Sequence, residues 1–332
     1  MPSSLIFTII IIILAISFDF INGFHDTATA VATSITTRAL SPRNAIIICC
    51  ICNFIGAFAE TAVAKTVGDN IVDSSLMAQW VIMCILITSI IWNLLTWYFA
   101  IPSSSSHALI GALVGAGISY NNSFKAVNWY NLFHSVILWL FLSPVIGFVV
   151  GYVLMKFLNL ILAPYKRSSV NKVFLKLQIL AGAFMAFNHG SNDAQKSMGI
   201  ITMALLSGGL LSSFEVPTWV IFLCALAMAL GTSVGGKKII KTMGSGMTKL
   251  TPVNGFAAQT GAASVILTAT LFKAPVSTTH IITTTIMGIG ACKRVKNVKW
   301  GVAKNIVWTW VLTIPLTALL SYLLIFVIKL FV

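Results

Sequence analysis

The sequence predicts an all-α polytopic membrane protein built as an inverted-topology repeat of about five crossings each, with broken helices and re-entrant half-helices. Three observations carry that prediction. The 332 residues are 58% hydrophobic and 8% charged, more apolar surface than a soluble core of that size can hide. Apolar runs near the roughly 20 residues of a helical crossing recur along the whole chain, which favours a bundle over a barrel of short alternating strands. Polar motifs inside those runs occur twice, in the same order.

Between polar breaks the chain divides into ten candidate crossings, at 5–37, 44–64, 79–101, 107–120, 130–155, 177–211, 216–235, 251–272, 277–292 and 300–331. The stretch Leu5 to Phe18 lacks a basic flank and a small-residue cleavage pattern, so it is expected to be a retained helix. Runs 5–37 and 177–211 are longer than one crossing needs. Each holds a polar interruption, Asn22-Gly23-Phe24-His25-Asp26 in the first and His189-Gly190-Ser191-Asn192-Asp193 in the second, and both are expected to be broken helices. Runs 107–120 and 277–292 are short for a crossing. They start at the hydroxyl-rich blocks Pro102-Ser103-Ser104-Ser105-Ser106-His107 and Pro275-Val276-Ser277-Thr278-Thr279-His280, and are expected to be half-helices. His107 follows Asp26 by 81 residues and His280 follows Asp193 by 87. Five crossings per repeat is an odd number, so the second copy is inverted relative to the first, as in many secondary transporters. Residues 1–155 then form one repeat, 156–176 a basic cytoplasmic linker and 177–332 the other.

The net charge of +14 is placed for topology and not for nucleic acid. Lys156, Lys166, Arg167, Lys172 and Lys176 form one cluster; Lys237, Lys238, Lys241 and Lys249 a second; Lys293, Arg294, Lys296, Lys299 and Lys304 a third. Each lies in or beside a break between apolar runs, where cytoplasmic loops collect Lys and Arg against anionic lipid. With the N-terminus outside a plasma membrane, all three clusters fall inside with Arg38 and Arg43, and the C-terminus is outside too. The loops near 65–78, 121–129, 212–215 and 273–276 are then external and carry few basic residues. The six cysteines have no metal-site spacing and read as small buried hydrophobes.

Seven carboxylates exist, and two of them, Asp26 and Asp193, fall inside apolar runs. An ionised group there costs at least ~2.5–3.5 kcal/mol unless it is solvated or paired. Each could cap the half-helix that follows it. As a matched pair they read better as ligands for a coupling cation or as proton carriers. Asp19, one turn before Asn22, is matched by Ala186 in the second copy, and Glu60 falls near a membrane boundary. The hydroxyls Ser104, Ser105, Ser106, Ser277, Thr278 and Thr279 suit an oxyanion, because a helix start presents free N–H groups and partial positive charge. Pro102 and Pro275 end the preceding helix and direct the chain into each block. Asn22, Asn53, Asn93, Asn192 and Gln259 fall within crossings and need partners; Asn22 and Asn192, beside the interruptions, are candidate ligands. His107 and His280 serve as proton relays or as neutral members of their turns. Lys196, three residues after Asp193, pairs with it or attracts the anion. No nucleophile-base-orienter set marks an enzyme. A cation symporter, a sulfate permease and a passive anion channel all remain open on the residues alone.

At these residues the chain resembles the inorganic phosphate transporter (Pit/PiT) family over nearly its whole length. Asn22 to Ala28 and His189 to Lys196 are similar to the family's two signatures, and Ile91 to Phe99, Pro102 to His107 and Pro275 to His280 resemble its bacterial, proton-coupled branch. The resemblance implies secondary active uptake of inorganic phosphate, in the bacterial branch often with a divalent metal, by a homodimer of inverted repeats. Position by position it implies Asp26 and Asp193 as signature aspartates, Ser104 to Ser106 and Ser277 to Thr279 as the hydroxyl residues, and H⁺ or Na⁺ as the coupling cation with no other cofactor. His25 stands where the first signature commonly has Asn. Asn53 and Gln259 stand where relatives carry Glu, which leaves fewer anionic ligands for Na⁺ at the coupling-ion positions.

Overall fold

A computed structural model describes residues 2–73, 77–99, 101, 103–234 and 250–331. Pro102 and the basic group Lys237 to Lys249 lie outside the described residues. The helices are α1 (Pro2–Thr36), α2 (Pro42–Gly56), α3 (Ala62–Lys65, continued by a π-turn Thr66–Asn70), α4 (Gln79–Tyr98), α5 (Ser105–Asn121), α6 (Trp129–Leu162), α7 (Arg167–Ser207), α8 (Thr218–Val234), α9 (Pro252–Leu271), α10 (Thr278–Lys293) and α11 (Trp300–Lys329). Five of them, in α1, α4, α6, α7 and α11, are long and apolar enough to cross a membrane; α2 and α8 are shorter apolar helices. α5 and α10, of 17 and 16 residues, reach roughly 25 Å at 1.5 Å per residue. That is a few ångströms less than hydrocarbon about 30 Å thick.

The expected breaks in the two long runs do not occur. α1 is helical for 35 residues through Asn22–Asp26, and α7 for 41 through His189–Asp193. The polar side chains there find partners on neighbouring helices, so the backbone ladder need not open to satisfy them. The break falls instead in the second run. α2 stops at Gly56, residues 57–61 turn, and α3 resumes along the same neighbour, with Asn53 against Gly190 and Ala64 against Gly199 of α7. Two side chains satisfy the freed donors. Glu60 accepts from the N–H groups of Thr61 and Ala62 at 3.0 and 3.2 Å, and Gln195 of α7 accepts from those of Val63 and Ala64 at 2.7 and 3.2 Å. Within the span 156–176, α6 runs to Leu162 and α7 begins at Arg167.

α1 and α7 lie side by side and antiparallel. Ser197 donates to Asp19 at 2.6 Å, Asp26 meets Asp193, and Thr37 donates to Gln178 at 2.7 Å. Each packs against the second helix of the other half, α1 on α8 and α7 on α2. The glycines of the two polar motifs make this possible. A Cβ on Gly23 would collide with the Met228 carbonyl and Thr232 of α8, and one on Gly190 with the backbone of Asn53, so only a bare backbone allows these approaches. α5 packs on α11 and α10 on α6 in the same reciprocal manner.

Two apolar clusters fill the bundle. One gathers Ile11–Phe18 of α1 and Ala194–Leu205 of α7, the other Ala30–Ala32 and Met185–Ala186 of the same helices. The polar motifs occupy the layer between them. Four connections converge on one face: Asn128 N–H donates to the Ile71 carbonyl at 2.9 Å, Thr66 to that of Lys273 at 2.9 Å, and Glu60 shares a cavity with Glu215. Lys329, at the end of α11, donates to the carbonyls of Ser119 and Tyr120 on that face.

Gly190→Val should therefore cost about 1–3 kcal/mol or more by overpacking, read as a lowered unfolding temperature in detergent. Gly301→Ala, where a Cβ meets nothing within 4 Å, should leave that temperature unchanged or slightly raised.

Candidate functional site

α5 and α10 begin in the same way. Ser104 and Ser277 adopt extended N-cap conformations, and their hydroxyls accept from the backbone N–H of His107 and His280 at 3.2 and 3.3 Å. These two hydroxyls close their own helices. The next residues, Ser105, Ser106, Thr278 and Thr279, open the first turns. Both helix starts meet in the polar layer: Ser106 donates to the Val276 carbonyl at 3.0 Å, and the His107 and His280 rings are edge-on with centroids 4.5 Å apart. Trp310 stacks on His280 at 3.7 Å.

The aspartates lie at this junction. Asp26 accepts from Ser105 at 3.3 Å and from Thr279 at 3.0 Å, and His25 Nδ1 is 2.8 Å away. Ser105 also donates to Asn22 at 2.7 Å. Asp193 accepts from Thr278 at 3.2 Å and from Lys196 Nζ at 2.5 Å, with His189 Nε2 at 3.2 Å. Thr279 thus reaches from α10 to the aspartate of α1, so Asp26 takes hydroxyl donors from both halves of the chain. Asp26, Asp193, Asn22 and Lys196 are all 3% exposed or less. Two carboxylates against one ammonium leave one net negative charge when both imidazoles are neutral.

His189 lies between Asn53 and Asp193. Thr232 donates its hydroxyl to the Met228 carbonyl at 2.9 Å, so it accepts from the Asn53 amide at 3.0 Å. The Asn53 carbonyl oxygen then faces His189 Nδ1 at 3.2 Å, which makes that nitrogen the donor. His189 Nε2 lies 3.2 Å from the Asp193 carboxylate without making a hydrogen bond to it. Asp26, His189 and Asp193 each offer a ligand atom within 4.8 Å of the others, a set able to hold a cation.

The remaining candidates stand apart. Asn192 is turned toward α9, donating to Thr270 at 2.9 Å and the Ala274 carbonyl at 3.3 Å. Gln259 donates to the Ala30 carbonyl at 2.7 Å and to Ser34 at 2.9 Å, a turn beyond Asp26 on α1. Sequence reasoning passed over His25 and His189. The four-residue step from His189 to Asp193, one helical turn, was the signal that could have found the second.

Lys196→Met leaves Asp193 buried without its ammonium and should cost about 3–5 kcal/mol of stability. Adding Asp193→Asn should recover much of that loss in a double-mutant cycle of detergent unfolding; additive losses would show that the pair is not coupled.

The model of the phosphate transporter family matches residues 22–321. A Bacillus subtilis (strain 168) protein named "Probable low-affinity inorganic phosphate transporter" is 50% identical over 328 residues, 98% of this chain and 98% of its own. A Rhizobium meliloti (strain 1021) protein of the same name is 44% identical over 327 residues, 97% of each chain. A solved structure described as "The sodium-dependent phosphate transporter" is similar in fold, with TM-score 0.89 and 24% identity over 98% of this chain and 100% of that one. On the family match and these identities, the chain belongs to the phosphate transporter family.

Proposed function

We propose that the chain imports inorganic phosphate, free or as a metal–phosphate complex, across the plasma membrane by symport with H⁺ or Na⁺ and alternating access. One observation carries this reading: two buried carboxylates lie at the joined starts of two half-helices and take hydrogen bonds from their hydroxyls. The starts of α5 and α10 favour an anion through their N–H groups and partial positive charge. Asp26 and Asp193 oppose one until a cation neutralises them. Cation binding also releases Ser105, Thr278 and Thr279 from the carboxylates, so that the hydroxyls can donate to phosphate. Substrate and cation then each prepare the site for the other, which is the thermodynamic content of coupling.

Either cation meets the requirement. A carboxylate such as Asp26 or Asp193 can take up a proton, and Na⁺ fits the likeness to a protein described as sodium-dependent. A phosphate that carries a proton can donate to Asp26 or Asp193 and sulfate cannot, so these acceptors favour phosphate. A site buried from both faces fits alternating access better than a standing pore. The antiparallel α1 and α7 and the reciprocal packing of α5 on α11 and α10 on α6 support residues 1–155 and 177–332 as inverted repeats. On that topology the basic clusters lie in the cytoplasm, and both termini share the external face with the four connections.

Proteoliposomes given proton and sodium gradients independently should accumulate labelled phosphate against its own gradient with at least one of them; uptake indifferent to both would defeat symport. Asp26→Asn or Asp193→Asn should abolish accumulation while the protein remains in the membrane. Ser105→Ala with Thr279→Val should weaken phosphate use by about ten- to a hundredfold, the scale of lost hydrogen bonds to a charged group; an unchanged KM would remove these hydroxyls from the site.

A further inference from the structure

A second polar cavity, of about 420 Å³, lies far from the aspartates, between the end of α6, the starts of α7 and α9 and the end of α10. Arg167 and Lys293 line it together with Asn159, Asn171, Thr251 and Asn254. None of the seven carboxylates lines it, and neither cation has an ion pair among the described residues. Two long helices begin at its wall. The N-cap of α7, Lys166, provides no side-chain cap, so the first N–H groups of that helix are left for an outside acceptor. At α9 the Thr251 hydroxyl caps only the N–H of Asn254, at 3.4 Å. Two cations, two helix starts and several amides around one concavity offer positive charge and hydrogen-bond donors to an anion.

We propose that this cavity binds a phosphate-bearing anion, with the headgroup of an anionic phospholipid as the favoured source. Apart from Tyr165 the rest of the lining is apolar, including Met155, Leu162 and Val253, and suits an amphiphile. The side chains of Phe157 and Leu160 on the adjoining turn of α6 are exposed, where acyl chains would lie. Arginine and lysine at the edge of a membrane-spanning helix attract such headgroups. The site also holds the far end of α10, the half-helix whose first turn carries Thr278 and Thr279. This inference does not depend on the coupling mechanism, and its test needs no transport.

The full-length chain is purified as the wild type, as Arg167→Gln with Lys293→Gln, and as Lys156→Gln with Lys172→Gln, which removes the same charge outside the cavity. All substituted side chains are exposed, so folding is not at stake. In one arm each protein is equilibrated with micelles of equal phosphatidylglycerol and phosphatidylcholine, and the retained lipid is read by native mass spectrometry. In the other, each protein, lipid-free and carrying Ser105→Ala with Thr279→Val to weaken the central site, is dialysed against labelled inorganic phosphate. Wild type should retain phosphatidylglycerol preferentially, the cavity variant should lose roughly ten- to thirtyfold of it at about 1 kcal/mol per cation, and the outer variant should stay close to wild type. Label that falls only in the cavity variant would identify free phosphate as the source and still support the site. Cavity and outer variants that behave alike in both arms would overturn the proposal.

Discussion

Placing Asp26 and Asp193 in the apolar middle of the bundle costs at least ~2.5–3.5 kcal/mol for each ionised group, and most of the surrounding architecture offsets that cost. Their neighbours are hydroxyls, an ammonium and two imidazoles. The polar layer is sealed above and below by apolar clusters built from the same two helices. Low dielectric strengthens each of these contacts and equally raises the cost of any that is missing. A site of this kind holds its charge balance within narrow limits.

The packing that delivers the aspartates to one point depends on close backbone approach. Gly23 and Gly190 sit three residues before Asp26 and Asp193, on the sides of α1 and α7 that meet α8 and α2. Without a lipid-excluding hydrophobic drive between helices, small residues and van der Waals contact hold such crossings together. The two half-helices then need only end their preceding turns at the right depth, and the N-cap hydroxyls of Ser104 and Ser277 fix where they begin.

Much of this was legible in the chain. The half-helices, their hydroxyl starts and the paired aspartates could be read because polar residues inside apolar runs have few explanations in a membrane. The position of the helix break could not. A polar interruption marks where a helix can open, but opening is decided by whether its side chains find partners, and those of α1 and α7 do. The break at residues 57–61 is tolerated because Gln195, more than a hundred residues away, accepts from the start of α3. Asn192 and Gln259 escaped for the same reason. Each amide is turned from the site by a partner distant in sequence, Thr270 in one case and Ala30 with Ser34 in the other. Sequence spacing locates a side chain along its helix but does not say which neighbour it meets.

The repeats are alike in outline and unlike in charge. Three residues after Asp193 comes the cationic Lys196, whereas three after Asp26 comes the uncharged Thr29. Asp193 therefore carries its own ammonium at 2.5 Å beside His189, while Asp26 lies beside His25 and accepts from hydroxyls of both half-helices. A fixed ammonium contributes the same charge whether or not a cation is bound, so it steadies one carboxylate without coupling anything. The hydroxyl donors of Asp26 come from α5 and α10 together, so on the proposed mechanism their release would join the two half-helices around the anion.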